Sequence, residues 1–131
     1  MKIKIKITKA VLRESADCSP KKHLATGKSV GENCAFAVAV RDLLPRAAVG
    51  YTSIFPFGTG YHPDHPSTFS ISHEMTEFIK KFDRSSEVER LAFNEEEFEL
   101  DLPEWVVGKI GDENIEEVKR LISTSPTLEL V

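Results

Sequence analysis

Cysteine is scarce in this chain: Cys18 and Cys34 are the two present among 131 residues. Two thiols are too few for a disulfide framework, which turns the reading away from small secreted scaffolds and towards a reducing, cytoplasmic setting. A single Cys18–Cys34 bridge stands as the alternative. Long apolar runs are also missing. No stretch approaches the ~18 apolar residues that a spanning helix needs, so no membrane partner is expected. The first residues alternate lysine with isoleucine, unlike the continuous apolar segment of a signal peptide. Tryptophan occurs once and glycine and proline seven times each, which sets aside collagen-like and low-complexity classes. No internal repeat is visible.

What is present fits a single domain over residues 1–131, long enough to bury its own core. Residues 1–103 read as that core. Residues 104–131 read as a C-terminal helical extension, a candidate for oligomerisation. The net charge of −4 conceals an asymmetry: residues 1–46 carry ten Lys/Arg against four Asp/Glu, and the remainder seven against seventeen. These charges interleave with apolar residues, so they describe two oppositely charged surfaces of one body rather than tails, and the simpler reading is that the two sets of charges face each other. The overall acidic balance argues against direct nucleic-acid binding.

The organising stretch runs from Gly31 to Pro45. Cys34 to Val40 are unbroken apolar residues whose period fits a buried strand or a buried helix. Alanine at three of those positions favours the helix, Asn33 offers an N-cap beside Glu32, and Pro45 closes the segment. A helix from Asn33 to Leu44, apolar on all sides, would form a central pillar. Two segments alternate with period two: Lys2–Ile7, and Glu97–Leu102 with Phe98, Leu100 and Leu102 on one face. Lysines opposite carboxylates make these two strands expected neighbours.

Between them, Val11 and Leu12 can start a short helix and Asp17–Pro20 reads as a break. Residues 48–55 and 68–71 read as a β-hairpin around a long loop, Pro56–Pro66, with three prolines and two glycines. Ser72 caps a helix over Glu74–Asp83, with Met75, Phe78, Ile79 and Phe82 in one stripe. Val88 and Leu91 are expected to point inward. Pro103 is expected as the first residue of a short helix broken at Gly108 and Gly111. Asp112 is expected to cap a last amphipathic helix carrying Ile115, Val118, Leu121 and Ile122. Leu128–Val131 would then add to a sheet edge, in this or another subunit. The fold class is therefore α+β: a small, largely antiparallel sheet packed on a buried central helix and an amphipathic one.

Chemistry-bearing patterns are incomplete. Thr26-Gly27-Lys28-Ser29 matches the end of a P-loop, but Lys22 stands where the motif needs glycine. His62, Asp64 and His65, with His73 or a cysteine, could supply zinc ligands. Histidines beside prolines in a loop are commonly just solvated, so no metal and no cofactor is expected. Cys34 at a helix start could be an activated thiol. It opens an apolar run, however, and buried cysteine is common, so no catalytic residue is assigned. The third pattern is anion recognition. Lys21, Lys22, Lys28 and Arg41 lie near the pillar's start, while Tyr51, Phe57, Tyr61, His62 and His65 could stack on a flat ligand. The opposing reading is that these rings pin the loop to the body.

Cys34-x-x-Ala37-x-Ala39-Val40-Arg41-Asp42, then Val49-Gly50, Phe78-Ile79-x-x-Phe82-Asp83 and Phe98-Glu99-Leu100-x-Leu102-Pro103 together resemble a family of small bacteriophage and prophage proteins. The resemblance spans about Lys2 to Pro103. This chain departs from shorter members in its 57–66 loop, its C-terminal helix, and Ala35 where a proline often stands. The resemblance implies a setting, a phage or its host's cytoplasm, and no reaction. By analogy with small phage proteins that blunt host immunity, the expected function is a non-enzymatic, homo-oligomeric protein. It would hold a small anionic nucleotide-like signal through Lys22, Lys28, Arg41, Tyr51, Phe57, Tyr61, His62 and His65. The alternatives are an inhibitor that blocks a host protein with the acidic face around Glu95–Asp101, and a metal-dependent hydrolase.

Overall fold

A computed structural model describes residues 1–17, 34–60, 63–112 and 114–131. Alternating Lys2–Ile7 forms β1, its three isoleucines fully buried and its lysines at the surface. Its partner is β5, Glu96–Asp101, antiparallel, with Lys2, Lys4 and Lys6 opposite Asp101, Glu99 and Glu97. This is the expected pairing. The ion pairs run diagonally: Lys2 reaches Glu99 (3.9 Å), Lys4 reaches Glu97 (3.4 Å), and Lys6 turns to Glu129 (3.2 Å). The last belongs to β6, Leu128–Leu130, which flanks β1 on its other side. The tail thus joins a sheet edge within its own chain, giving the order β5-β1-β6.

A second sheet stands apart from the first. Residues 48–55, expected as one strand, reverse at Gly50–Thr52 into β2 (Ala48–Val49) and β3 (Ser53–Phe55), with the Gly50 amide donating to the Ser53 carbonyl. Across the long loop, β3 pairs with β4 (Phe69–Ser70), as the hairpin reading expects. The architecture is α+β, with two antiparallel three-stranded sheets and, among the described residues, six helices.

The pillar is shorter than expected. Helix α2 covers Ala35–Ala39, starts at Cys34 without a side-chain cap, and ends as Val40 leaves helical geometry (φ −94°, ψ 3°). Tight turns then carry the chain through Leu43, because it must reach β2 within a few residues. Asn33, the expected cap, lies outside the described residues. Burial on all sides holds for Cys34–Val40, every residue of which is buried, and not for Arg41 and Asp42, which are half-buried and exposed. Helix α1, Lys9–Ser15, is capped by Thr8 and contacts α2.

Helix α3, His73–Arg84, begins where Ser72 Oγ accepts from the Met75 amide, and buries the expected stripe. Helix α4, Glu87–Leu91, corrects the expectation for Val88 and Leu91: they are 77% and 43% exposed. The helix is held by polar contacts instead. Ser86 and Glu89 form a capping box. Arg90 donates to the carbonyls of Phe82, Asp83 and Ala16, closing the ends of α1 and α3 at once.

Helix α5 spans Glu104–Gly111 with Pro103 as its N-cap rather than its first residue, and it runs through Gly108 unbroken. Asp112 ends it in a left-handed conformation (φ 48°) instead of capping the last helix. That helix, α6 (Ile115–Thr124), starts from Asn114 and buries Val118 and Ile122, while Ile115 is exposed. Gly111 lets α5 and α6 meet: a Cβ there would sit 2.7 Å from Val118 Cγ2. No helix among the described residues is long and apolar enough to cross a membrane.

Candidate functional site

Two grooves carry the concentrated chemistry of the surface. The first lies between α3 and the outer edge of β5 and holds about 690 Å³. Phe78, Phe93 and Phe98 line it; they form edge-on pairs at 5.4–5.7 Å, and Phe36 of the pillar supports Phe78 and Phe98 from below. The same stripe that buries α3 therefore fixes this aromatic floor. The walls are acidic. Glu74 and Glu77 project from the first turns of α3, and Glu96 and Glu97 from β5. A continuation of about 570 Å³ runs along β5 past Glu99 and Asp101 to Ser70 and Ser72. Six carboxylates line these two stretches with two lysines, Lys2 and Lys81, while Lys4 and the Met1 amine pair with Glu97 and Asp101 from outside the lining. Lys81 also rests over the Phe93 ring at 5.3 Å. Glu95, at the end of this face, accepts from the Lys9 amide (2.9 Å) at the start of α1.

The second groove, about 750 Å³, lies beneath Pro56, Phe57 and residues 63–65 of the long loop, between Leu43–Arg46 and the end of α5. His65 stacks on Trp105 at 5.1 Å, and Phe57 meets both rings edge-on. Asp64 pairs with Lys109 at 3.5 Å. Its charge is mixed, with Asp42, Asp64 and Asp112 beside Arg46 and Lys109.

Of the eight residues expected to bind a ligand, Lys22, Lys28, Tyr61 and His62 lie outside the described residues, as do Lys21 and Cys18. Phe57 and His65 come together on Trp105. Arg41 has its guanidinium on the Glu14 carboxylate of α1. Tyr51 is exposed at the β2–β3 reversal, where its carbonyl accepts from Thr76. Cys34 is buried. Among the described residues, no three His, Cys, Asp or Glu side chains gather as a metal site. The sequence reading missed Trp105 as the loop's anchor, although a lone tryptophan downstream of an aromatic loop is the signal that could have found it. It also missed α3 as the second acidic wall.

Among the described residues, the groups whose pKa is displaced by a neighbour, Glu89, Glu117 and Arg120, lie away from both grooves. Hydrogen bonds from the Ser86 backbone, then its side chain, hold the Glu89 carboxyl below its usual range. On α6, the Arg120 hydrogen bond lowers Glu117, and Arg120 is raised in return.

No family model, curated protein or solved structure matches this chain.

Proposed function

We propose that this is a non-enzymatic binding protein whose acidic groove between α3 and β5 engages a basic segment of another protein. The observation that carries this reading is the imbalance of charge around an aromatic floor: Glu74, Glu77, Glu96 and Glu97 with one lysine, Lys81, about Phe78, Phe93 and Phe98, the row continuing past Phe98 to Glu99 and Asp101 beside Lys2. Clefts lined by one sign of charge raise the local concentration of the opposite sign, and apolar floors supply the contact area that holds it. In the phage setting that the resemblance implies, the groove would occlude a basic surface of a host protein. Anisotropy of a labelled lysine-rich peptide tests this. Saturable binding is expected to weaken at least tenfold on raising salt, and on changing Glu74, Glu77, Glu97 and Glu99 to glutamine. Unchanged binding by that variant would overturn the reading.

A second reading, capture of a small anionic nucleotide-like ligand, is favoured by one observation: the half-buried stack of His65 on Trp105. A thermal-shift series with cyclic dinucleotides and ADP-ribose derivatives tests it. A ligand at a hundred times its dissociation constant adds about 2.7 kcal/mol. No shift with any of them removes this reading.

A further inference from the structure

The acidic groove is bounded on one side by a sheet edge, and the hydrogen-bond parity of that edge is fixed. The Leu102 amide donates to the Met1 carbonyl (2.7 Å) and the Met1 amine to the Leu102 carbonyl (3.0 Å), so these two residues form a mutually bonded pair. In an antiparallel ladder such pairs recur at every second residue. Leu100, Phe98 and Glu96 therefore turn their backbone groups towards β1, opposite Ile3, Ile5 and Ile7. The other side of β1 agrees: Lys6 donates to Thr127 and Val131 to Lys2, which directs the lysine positions towards β6. It follows that Glu97, Glu99 and Asp101 aim their N–H and C=O groups outward, away from the sheet. Among the described residues, β5 has β1 as its one strand neighbour, so no strand covers that edge.

We infer that this edge takes an added strand: an extended segment of a partner protein, with lysine or arginine at every second residue, pairs with β5 along Glu97, Glu99 and Asp101. The inference rests on the acidic-groove reading and deepens it by naming the partner's conformation. Side chains of an added strand alternate faces, as β5 itself does. On the solvent face its basic residues would sit beside the three carboxylates, as Lys2 and Lys4 do from the opposite side. On the other face its apolar residues would meet the groove floor at Phe98. Charge also selects against a second copy of this chain: β5 on β5 would set carboxylates against carboxylates, which is unfavourable on a sheet. Main-chain hydrogen bonds would give affinity and alternate side chains the selectivity.

The test uses an eight-residue peptide of lysine–valine repeats and the full chain. Amide exchange at Glu97, Glu99 and Asp101 is expected to slow at least tenfold on binding. N-methylation of alternate peptide residues, on the edge that meets β5, is expected to weaken binding at least tenfold; methylation of the opposite edge is expected to leave it within twofold. If both methylated peptides bind as tightly as the parent, and binding still falls with salt, strand addition is wrong while the acidic groove stands. If no lysine–valine or other lysine-rich peptide binds, both readings fail.

Discussion

The groove beside β5 and the groove under the 56–66 loop are both rimmed by charge, but they differ in what that charge meets. Under the loop, Asp64 answers Lys109, and the rings of Phe57 and His65 close on Trp105. Beside β5, Lys2 and Lys4 answer part of the acidic row, while Glu74, Glu77 and Glu96 add to the same sign. Groups that satisfy one another inside the molecule hold a loop in place. Groups of one sign gathered over an aromatic floor raise each other's energy, and an outside partner relieves that.

This contrast makes opposite predictions for the two places. Trp105→Ala removes the shared partner of the Phe57, His65 and Phe69 rings and is expected to cost about 2–3 kcal/mol, somewhat less than a fully buried aromatic. A lower denaturant midpoint at unchanged slope would report it. Glu77→Gln with Glu96→Gln is expected to stay within about 0.5 kcal/mol, as surface changes do, while weakening basic-peptide binding. If the carboxylate pair costs as much stability as the tryptophan, the division between holding and recognising collapses.

The next effect tests whether the lysines of β1 belong to the structure. Reversing Lys4 and Lys6 to glutamate sets like charges against Glu97, Glu99 and Glu129, and is expected to cost about 1–2 kcal/mol. The same reversal at Lys80 and Lys81 is expected to cost less, even though Lys81 rests on the Phe93 ring. Equal losses in thermal melts would show that the cross-strand charges contribute nothing.

Much of the fold was legible because its signals are local and periodic. Lys2–Ile7 and Glu97–Leu102 alternate in sequence, and their opposite charges named each other as neighbours. Met75, Phe78, Ile79 and Phe82 mark one helical face behind Ser72. What was not legible depends on distant contacts. Val88 and Leu91 look like core residues in a window, yet α4 is fixed by Ser86, Glu89 and the carbonyls that Arg90 collects. Gly50-Tyr51-Thr52 contains strand formers, so the reversal between β2 and β3 was hidden. The acidic face of Glu95–Asp101 was visible as charge. Its second wall was not, because Glu74 and Glu77 reach it only once α3 has packed on Phe36 and Phe98. His65 and Trp105 lie far apart in sequence, and no short pattern links them.

A smaller loss than the lysine reversal concerns a carboxylate whose hydrogen bonds are met inside the chain. Glu89 accepts from the Ser86 amide at 2.8 Å while Ser86 Oγ accepts from the Glu89 amide at 3.2 Å. Ser86→Ala is expected to lower stability by about 1 kcal/mol, the typical loss for an N-cap. The direction of the shift sets the pH dependence. Glu89 is lowered in the folded chain, so its contribution is complete above its unfolded value near 4.5 and fades as pH falls through the folded value. Glu89→Gln should therefore melt below the wild type at neutral pH, and the gap should narrow as pH falls below 4.5 and through the lowered folded value. A gap that stays constant, or widens in acid, would mean that the ionised carboxylate is not what holds the turn.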